Sequence, residues 1–379
     1  MRSLFKTFIL FITVVFITTC SGGSDSSAPE PTPTPSVLDL DLDGAFNYGM
    51  ADGKFTQGIT IYHQGNIIRD SFRGILPTEE SFALSGGTYT MPQELVDEYK
   101  NRDRFSLTTS WSTGKSFTSI LIGVAIDLGY ISDLDQKASD FIFEWENDAR
   151  SEITIRQLMD MRSGLIRYEG GYGGNITIYP DQLSVCIDRP LREPADNDFI
   201  YNNCDSMVLG EIVERSSGRD FYEFADIYLF SKLDINAQWW TDQSGNYLTY
   251  CCVDTTQEDF LKFGIMLLNN GGDVVSSSFI NEILANNGEE YNLQFWFRDG
   301  MVSTIGYDGQ YISVDFANNL IVARNSLYYQ YVPVNGQIIM INNNFDVDNQ
   351  LQIPFTLPGI IGGSGAFDMT MFLSILYKE

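Results

Sequence analysis

The chain runs to 379 residues, enough for one large or two closely joined domains, and its 44% hydrophobic and 13% aromatic content can fill a sizeable core. With 50 acidic against 23 basic residues the net charge is −27, which disfavours nucleic acid and anionic membrane surfaces as partners and reads as a solvated exterior. The single histidine, His63, excludes multi-histidine metal sites and leaves any Ser-His-Asp arrangement one imidazole to use.

Residues 1–20 read as an export signal. Arg2 and Lys6 supply a basic start, and residues 8–17 form an apolar run too short for a comfortable membrane span. Ile17-Thr18-Thr19-Cys20 is similar to a bacterial lipobox, with Thr19 where Gly or Ala is commoner. This predicts lipidation at Cys20 and a lipoprotein in the periplasm or on the outer membrane, touching the membrane only through its anchor. Plain secretion is the alternative. Residues 21–37, rich in Ser, Gly and Pro, read as an extended tether. Four further cysteines, Cys186, Cys204, Cys251 and Cys252, permit disulfides in an exported chain. Neighbours such as Cys251 and Cys252 rarely bond each other, so bridges to distant partners are expected. Without CxxC spacing or nearby histidines, no metal site is expected.

Residues 58–63 alternate Ile59, Ile61 and His63; Gly65-Asn66 turns the chain and Ile67-Ile68 resumes it, a hairpin at the start of a sheet. His63 there reads as a packing or surface residue. Residues 77–105 read as irregular and polar. Ser112-Thr113-Gly114-Lys115 then opens a helix over residues 116–128. Phe117, Ile120, Leu121, Val124 and Leu128 have helical spacing, Ile122 and Ile126 fill the other side, and Gly129 ends it. Ser112 and Lys115 share one helix face. The serine sits where the helix dipole favours developing negative charge, and a buried lysine loses part of its proton affinity. Hydroxyl plus amine make a nucleophile–base unit, though two fixed positions alone are a weak signal.

Thr154 and Gln157 have the spacing of a capping box for a short helix that stops at Gly164. The glycine-rich stretch 169–174 is a loop, unframed by the strand and helix of a phosphate loop. Tyr201-Asn202-Asn203 enters a helix over residues 205–215, and residues 256–268 form an amphipathic helix. Residues 310–316 and 320–324 make a second hairpin. It follows Gly306-Tyr307-Asp308-Gly309-Gln310, whose glycines allow a ligand to approach the backbone. Residues 367–376 read as a short helix.

Ser112-x-x-Lys115, Tyr201-x-Asn203 and Tyr307-Asp308-Gly309 occur in the order and spacing of the serine β-lactamase and penicillin-binding-protein superfamily, which the chain resembles over about residues 55–330. Residues 147–165, and Cys251-Cys252 before a helix ending Phe263-Gly264, are similar to its 6-aminohexanoate-dimer hydrolase and esterase branch. The resemblance implies an α+β fold: an antiparallel sheet flanked by helices with an inserted, mostly helical domain. Residues 38–129 and 245–379 would form the sheet domain and residues 130–244 the insertion. It implies no cofactor. Ser112 resembles the acylated nucleophile, and Lys115 the residue that lowers its hold on the proton. Tyr201 resembles the general base or acid, and Asn203 would position the substrate carbonyl or the lysine. The backbone N–H groups of Ser112 and Gln310 would form the oxyanion hole.

Tyr307, Asp308 and Gly309 occupy the substrate-binding place of Lys-Thr-Gly but lack its cation. An aspartate there would repel a substrate carboxylate by roughly 1 kcal/mol. The implied function is a serine hydrolase that forms an acyl-enzyme with a small ester or a neutral amide. The alternatives are a β-lactamase or D,D-peptidase, and a non-catalytic binding protein on the same fold, which the intact motifs disfavour. Residues 331–366 exceed the length usual in the family and either cover the cleft or pad the sheet.

Overall fold

A computed structural model describes residues 38–85, 93–167, 176, 179–192, 194–195, 198–327, 331–334, 337–340 and 367–379. The expectations for the signal, Cys20 and the tether lie outside the described residues, as do those for the loop 169–174 and most of the tail. In chain order the strands are β1 (Thr56–His63), β2 (Asn66–Phe72), β3 (Thr108–Thr109), β4 (Gln238–Trp239), β5 (Val253–Thr255), β6 (Tyr291–Asn292), β7 (Phe295–Arg298), β8 (Met301–Gly306), β9 (Gln310–Asp315), β10 (Leu320–Ser326), β11 (Tyr331–Val334) and β12 (Gln337–Met340). Seven of them form an antiparallel sheet in the order β2-β1-β10-β9-β8-β7-β6. Three form a small sheet, β3-β5-β4, and β11 pairs with β12 alone.

The expected hairpins are present. β1 pairs with β2 and also with β10, with Ile59 opposite Arg324 and Ile61 opposite Val322. His63 ends β1, half-buried opposite Leu320 and Asn66. Ile59 and Ile61 are fully buried as expected, but burial does not alternate along β1: every residue from Thr56 to Ile61 is buried, because the strand is covered on both faces.

The helix after Ser112 spans Gly114–Asp127, and every residue from Gly114 to Ala125 is buried. Its core-facing anchor is Phe117, whose ring stacks on Phe263 at 4.0 Å. Phe263 belongs to the helix Gln257–Leu268, capped by the Thr256 side chain on the Asp259 N–H. The Thr154–Gln157 capping box also forms, on the helix Ile155–Met159. Burying so many apolar side chains supplies most of the drive to fold.

Two expectations are corrected. Residues 77–105 are not simply irregular, since they carry the helices Pro77–Ser85 and Gln93–Glu98. Long-range contacts set the first: the buried Glu79 carboxylate takes hydrogen bonds from the Phe55 N–H, the Leu76 N–H and Arg73. Local periodicity carries no trace of such partners. Cys251 and Cys252 do bond each other, while Cys186 bonds Cys204. Successive side chains in extended backbone point to opposite sides, which keeps neighbouring cysteines apart. Cys252 instead has φ +69°, and that left-handed turn breaks the alternation.

Candidate active site

Ser112 sits in a tight turn, Trp111–Thr113, that runs straight into the long buried helix. Trp111 just before it has φ +47°, a strained conformation for a bulky residue and of the kind that clusters at functional sites. Two glycines let other segments press on this turn. A Cβ on Gly306 would come within 2.3 Å of the Ser110 carbonyl oxygen, and one on Gly114 within 2.8 Å of the Cys251 backbone. The first contact lays the β8–β9 corner against the serine turn. There Thr113 Oγ1 donates to the Gln310 carbonyl at 3.4 Å, so the start of β9 runs beside Ser112. The Gln310 side chain is locked between Ser326 and Asn325.

Lys115 is only 1% exposed, whereas Ser112 is half-exposed. Lys115 Nζ lies 3.2 Å from Ser112 Oγ and donates to Asn203 Oδ1 at 2.8 Å and to the Tyr250 carbonyl at 2.9 Å. The rings of Tyr201 and Tyr250 flank the amine at 4.8 and 5.3 Å. Lys115 makes no ion pair with any described residue. Burial pushes its pKa well below the ordinary lysine value, and the nearby charge of Asp205 opposes that fall. Burial in turn pushes the Asp205 carboxyl well up, although Ser163 Oγ donates to it at 2.8 Å.

Burial raises the Tyr201 phenol above the usual range, partly offset by the neighbouring Ser112 hydroxyl and by the positive charge of Arg167. The face of its ring is covered by Trp296, centroids 5.8 Å apart, and its edge by Tyr291. Helix Asn203–Ser217 begins two residues later. Its cap is Asn202, whose side chain accepts from the Cys204 N–H at 3.1 Å. Capping by Asn202 leaves the Asn203 amide for Lys115.

The structure thus brings together Ser112, Lys115, Tyr201 and Asn203, with the Gln310 backbone alongside. Tyr307 meets Trp111 edge-on at 6.0 Å, and Gly309 has φ +81°, so this turn borders the same place. The side chain of Asp308 lies outside the described residues. Behind the turn the Arg324 guanidinium holds the Gly309 carbonyl, but it is fully buried and also bound to the Lys54 carbonyl and Thr56 Oγ1. It is a structural cation, tied to backbone and hydroxyl oxygens of its own fold. Sequence reasoning missed Tyr250, Asp205, Arg167 and Trp296. A backbone carbonyl acceptor such as that of Tyr250 leaves no signature in residue identity. Asp205, a carboxylate inside the predicted helix just past Asn203, was visible and went unused.

Among the described residues no group of three or more His, Cys, Asp or Glu is placed to hold a metal ion. The family model described as Beta-lactamase matches residues 93–327. The 6-aminohexanoate-dimer hydrolase of Paenarthrobacter ureafaciens is 26% identical over 256 residues, or 57% of this chain and 64% of that protein, so the chain spans less than two thirds of that relative's length. A penicillin-binding protein from Bacillus halodurans superposes with a TM-score of 0.58 at 16% identity, covering 74% of this chain and 94% of that one. EstCE1, a hydrolase with promiscuous acyltransferase activity, gives 0.58 at 13% identity over 75% of this chain and 92% of its own. At such identities the two structures establish a shared fold.

Proposed function

The chain belongs to the β-lactamase family, and we propose that it is a serine hydrolase working through an acyl-enzyme on a small ester or a neutral amide. One observation carries this reading. A neutral amine has two N–H donors and one lone pair. Two of the three polar contacts of Lys115 Nζ are carbonyl oxygens, which only accept. They take both donors, so the lone pair faces the third contact, the Ser112 hydroxyl. Desolvation of the amine favours that neutral form.

Lys115 takes the Ser112 proton as Oγ bonds to the substrate carbonyl carbon. The Ser112 and Gln310 N–H groups hold the resulting oxyanion. Tyr201, protonated at rest, gives its proton to the departing oxygen or nitrogen and regains one from the Lys115 ammonium. Water then enters by the same relay in reverse and releases the acid, leaving Ser112 and Lys115 as they began. Asn203 keeps Lys115 aimed. The Tyr307–Gly309 turn borders the substrate and offers no free cation, which favours neutral acyl groups. The test is p-nitrophenyl acetate hydrolysis against nitrocefin turnover. A burst of nitrophenol that Ser112→Ala abolishes, with little nitrocefin turnover, is expected. No burst from folded protein would favour a binding protein, and rapid nitrocefin hydrolysis a β-lactamase.

For localisation we propose export and lipidation at Cys20. Two disulfides among the described residues fit an oxidising compartment. Palmitate labelling that disappears in Cys20→Ala is the expected result; unlabelled, freely secreted protein would exclude the anchor.

A further inference from the structure

Both residues that accept from Lys115 stand immediately before a disulfide-bonded cysteine: Asn203 before Cys204, and Tyr250 before Cys251. We propose that the Cys251–Cys252 bond is a positioning element for catalysis, holding the Tyr250 carbonyl where it takes one Lys115 hydrogen and leaves the amine lone pair on Ser112. This rests on the reading of Lys115 as the base.

The argument is geometric. A bond between adjacent cysteines closes a small ring that contains the peptide linking them, so torsions of that stretch no longer turn freely. The Tyr250 oxygen belongs to the peptide unit just before the ring. The nitrogen of that same unit, that of Cys251, donates to the Leu248 carbonyl at 2.9 Å. On the far side the Cys252 carbonyl accepts from the Trp240 N–H at 3.0 Å, and the Val253 N–H donates to Ser110 Oγ at 2.8 Å. Ser110 leads into the serine turn, so the ring is tied to that turn as well as to Lys115. Its backbone presses directly on Gly114, the residue between the serine turn and Lys115. Cys251 is 2% exposed and Cys252 fully buried, so the ring is packed inside the site's floor. The left-handed backbone of Cys252 is disfavoured for a side-chain-bearing residue, and the ring is what holds it there. Cys186–Cys204 does the corresponding service for the first turn of the helix that begins with Asn203. Opening the vicinal bond frees the Tyr250 carbonyl to swing away and admits water beside the amine. The titratable groups that face Lys115 from the Tyr201–Ser217 stretch, Asp205 and the neutral phenol of Tyr201, stay in place, and the Tyr250 phenol keeps its bond to Gln182. The amine alone changes its surroundings, and its proton affinity rises towards that of an exposed lysine.

The test compares the wild type with Cys251→Ala/Cys252→Ala, in which Cys186–Cys204 is kept. The expected result is an unchanged KM for p-nitrophenyl acetate and kcat lowered at least about tenfold, as small misplacements of catalytic groups do. The pH at which kcat/KM reaches half its plateau should move upward. A lost bond that only weakened the fold would lower the melting temperature without moving that pH. An unchanged kcat and pH profile overturns the proposal. Peptide mapping of active wild type, denatured without reductant in iodoacetamide, decides the matter even where the variant does not fold. Bonded Cys251 and Cys252 in active enzyme support the proposal; free thiols at both positions in fully active enzyme overturn it. The hydrolase reading fails separately, if folded wild type gives no burst or if Ser112→Ala still turns over the ester.

Discussion

At Lys115 a single side chain is asked to be a base at neutral pH, and its surroundings are built for that. It is sealed from water, it faces two carbonyl acceptors, and no carboxylate among the described residues pairs with it. An ordinary lysine titrates near pH ~10.4. Here kcat/KM is expected to rise with pH through a midpoint well below that, following loss of the Lys115 proton; a profile flat from pH 5 to about 9 would show that another group sets the rate. Tyr201 plays the complementary part, since burial keeps its proton on. Tyr201→Phe should lower kcat by roughly 10²- to 10⁴-fold while Ser112 still reacts with an acylating probe. Equal loss of probe reactivity would make Tyr201 the base instead. Of these residues, Ser112, Lys115, Tyr201 and Asn203 were legible because side-chain chemistry at fixed spacing leaves a mark in sequence. The Tyr250 carbonyl was not, because any residue supplies one.

The elements that carry these residues are joined by buried polar side chains. Thr118, one turn along the Ser112 helix, donates to the Thr249 carbonyl at 2.7 Å, and Thr249 Oγ1 donates to the Ser206 carbonyl at 2.7 Å. The segment before the vicinal disulfide is thereby sewn to both helices. Thr118→Val leaves the Thr249 carbonyl without that donor, and a loss of about 1–3 kcal/mol is expected in urea unfolding, with kcat reduced as well. Thr256→Ala removes a helix cap, the bond its side chain accepts from the Asp259 N–H. It should lower stability by about 1 kcal/mol and leave kcat alone, and a change in kcat would contradict that separation. Long helices and paired hairpins were readable because their apolar spacing repeats over many residues, and caps because Thr154 and Thr256 announce them. β6 and β7 were not. Asp299-Gly300 between β7 and β8 is itself a hairpin turn signal, but β6 and β7 are short and the turn between them uses left-handed Leu293 and Gln294, which no turn-forming pattern marks. The vicinal disulfide was misjudged for the same kind of reason, since a left-handed Cys252 is a tertiary outcome.

For the molecule as a whole, keeping an amine and a carboxyl inside links stability to pH. Between the lowered folded pKa of Lys115 and its unfolded value, the unfolded chain holds more protons, so this residue makes stability rise with pH. Asp205, raised in the fold, does the opposite above the unfolded carboxyl value: there the folded state holds the extra proton, and stability falls as pH rises through that window. Lys115→Met removes the first effect. Melting temperatures should show the wild type gaining on this variant as pH rises from about 7 towards 10, and a constant difference would mean that Lys115 is charged throughout. Four stretches far apart in sequence converge on one hydroxyl: the Ser112 turn, the Tyr201–Asn203 entrance, the Tyr250 loop and the β8–β9 corner. The most direct test of that convergence is the rate at which a fluorophosphonate labels the protein, followed by intact mass across pH and mapped by peptide. One adduct on Ser112 is predicted, its rate rising with pH as Lys115 deprotonates and nearly abolished in Lys115→Ala. Labelling at another residue, or equal labelling without Lys115, would contradict the account.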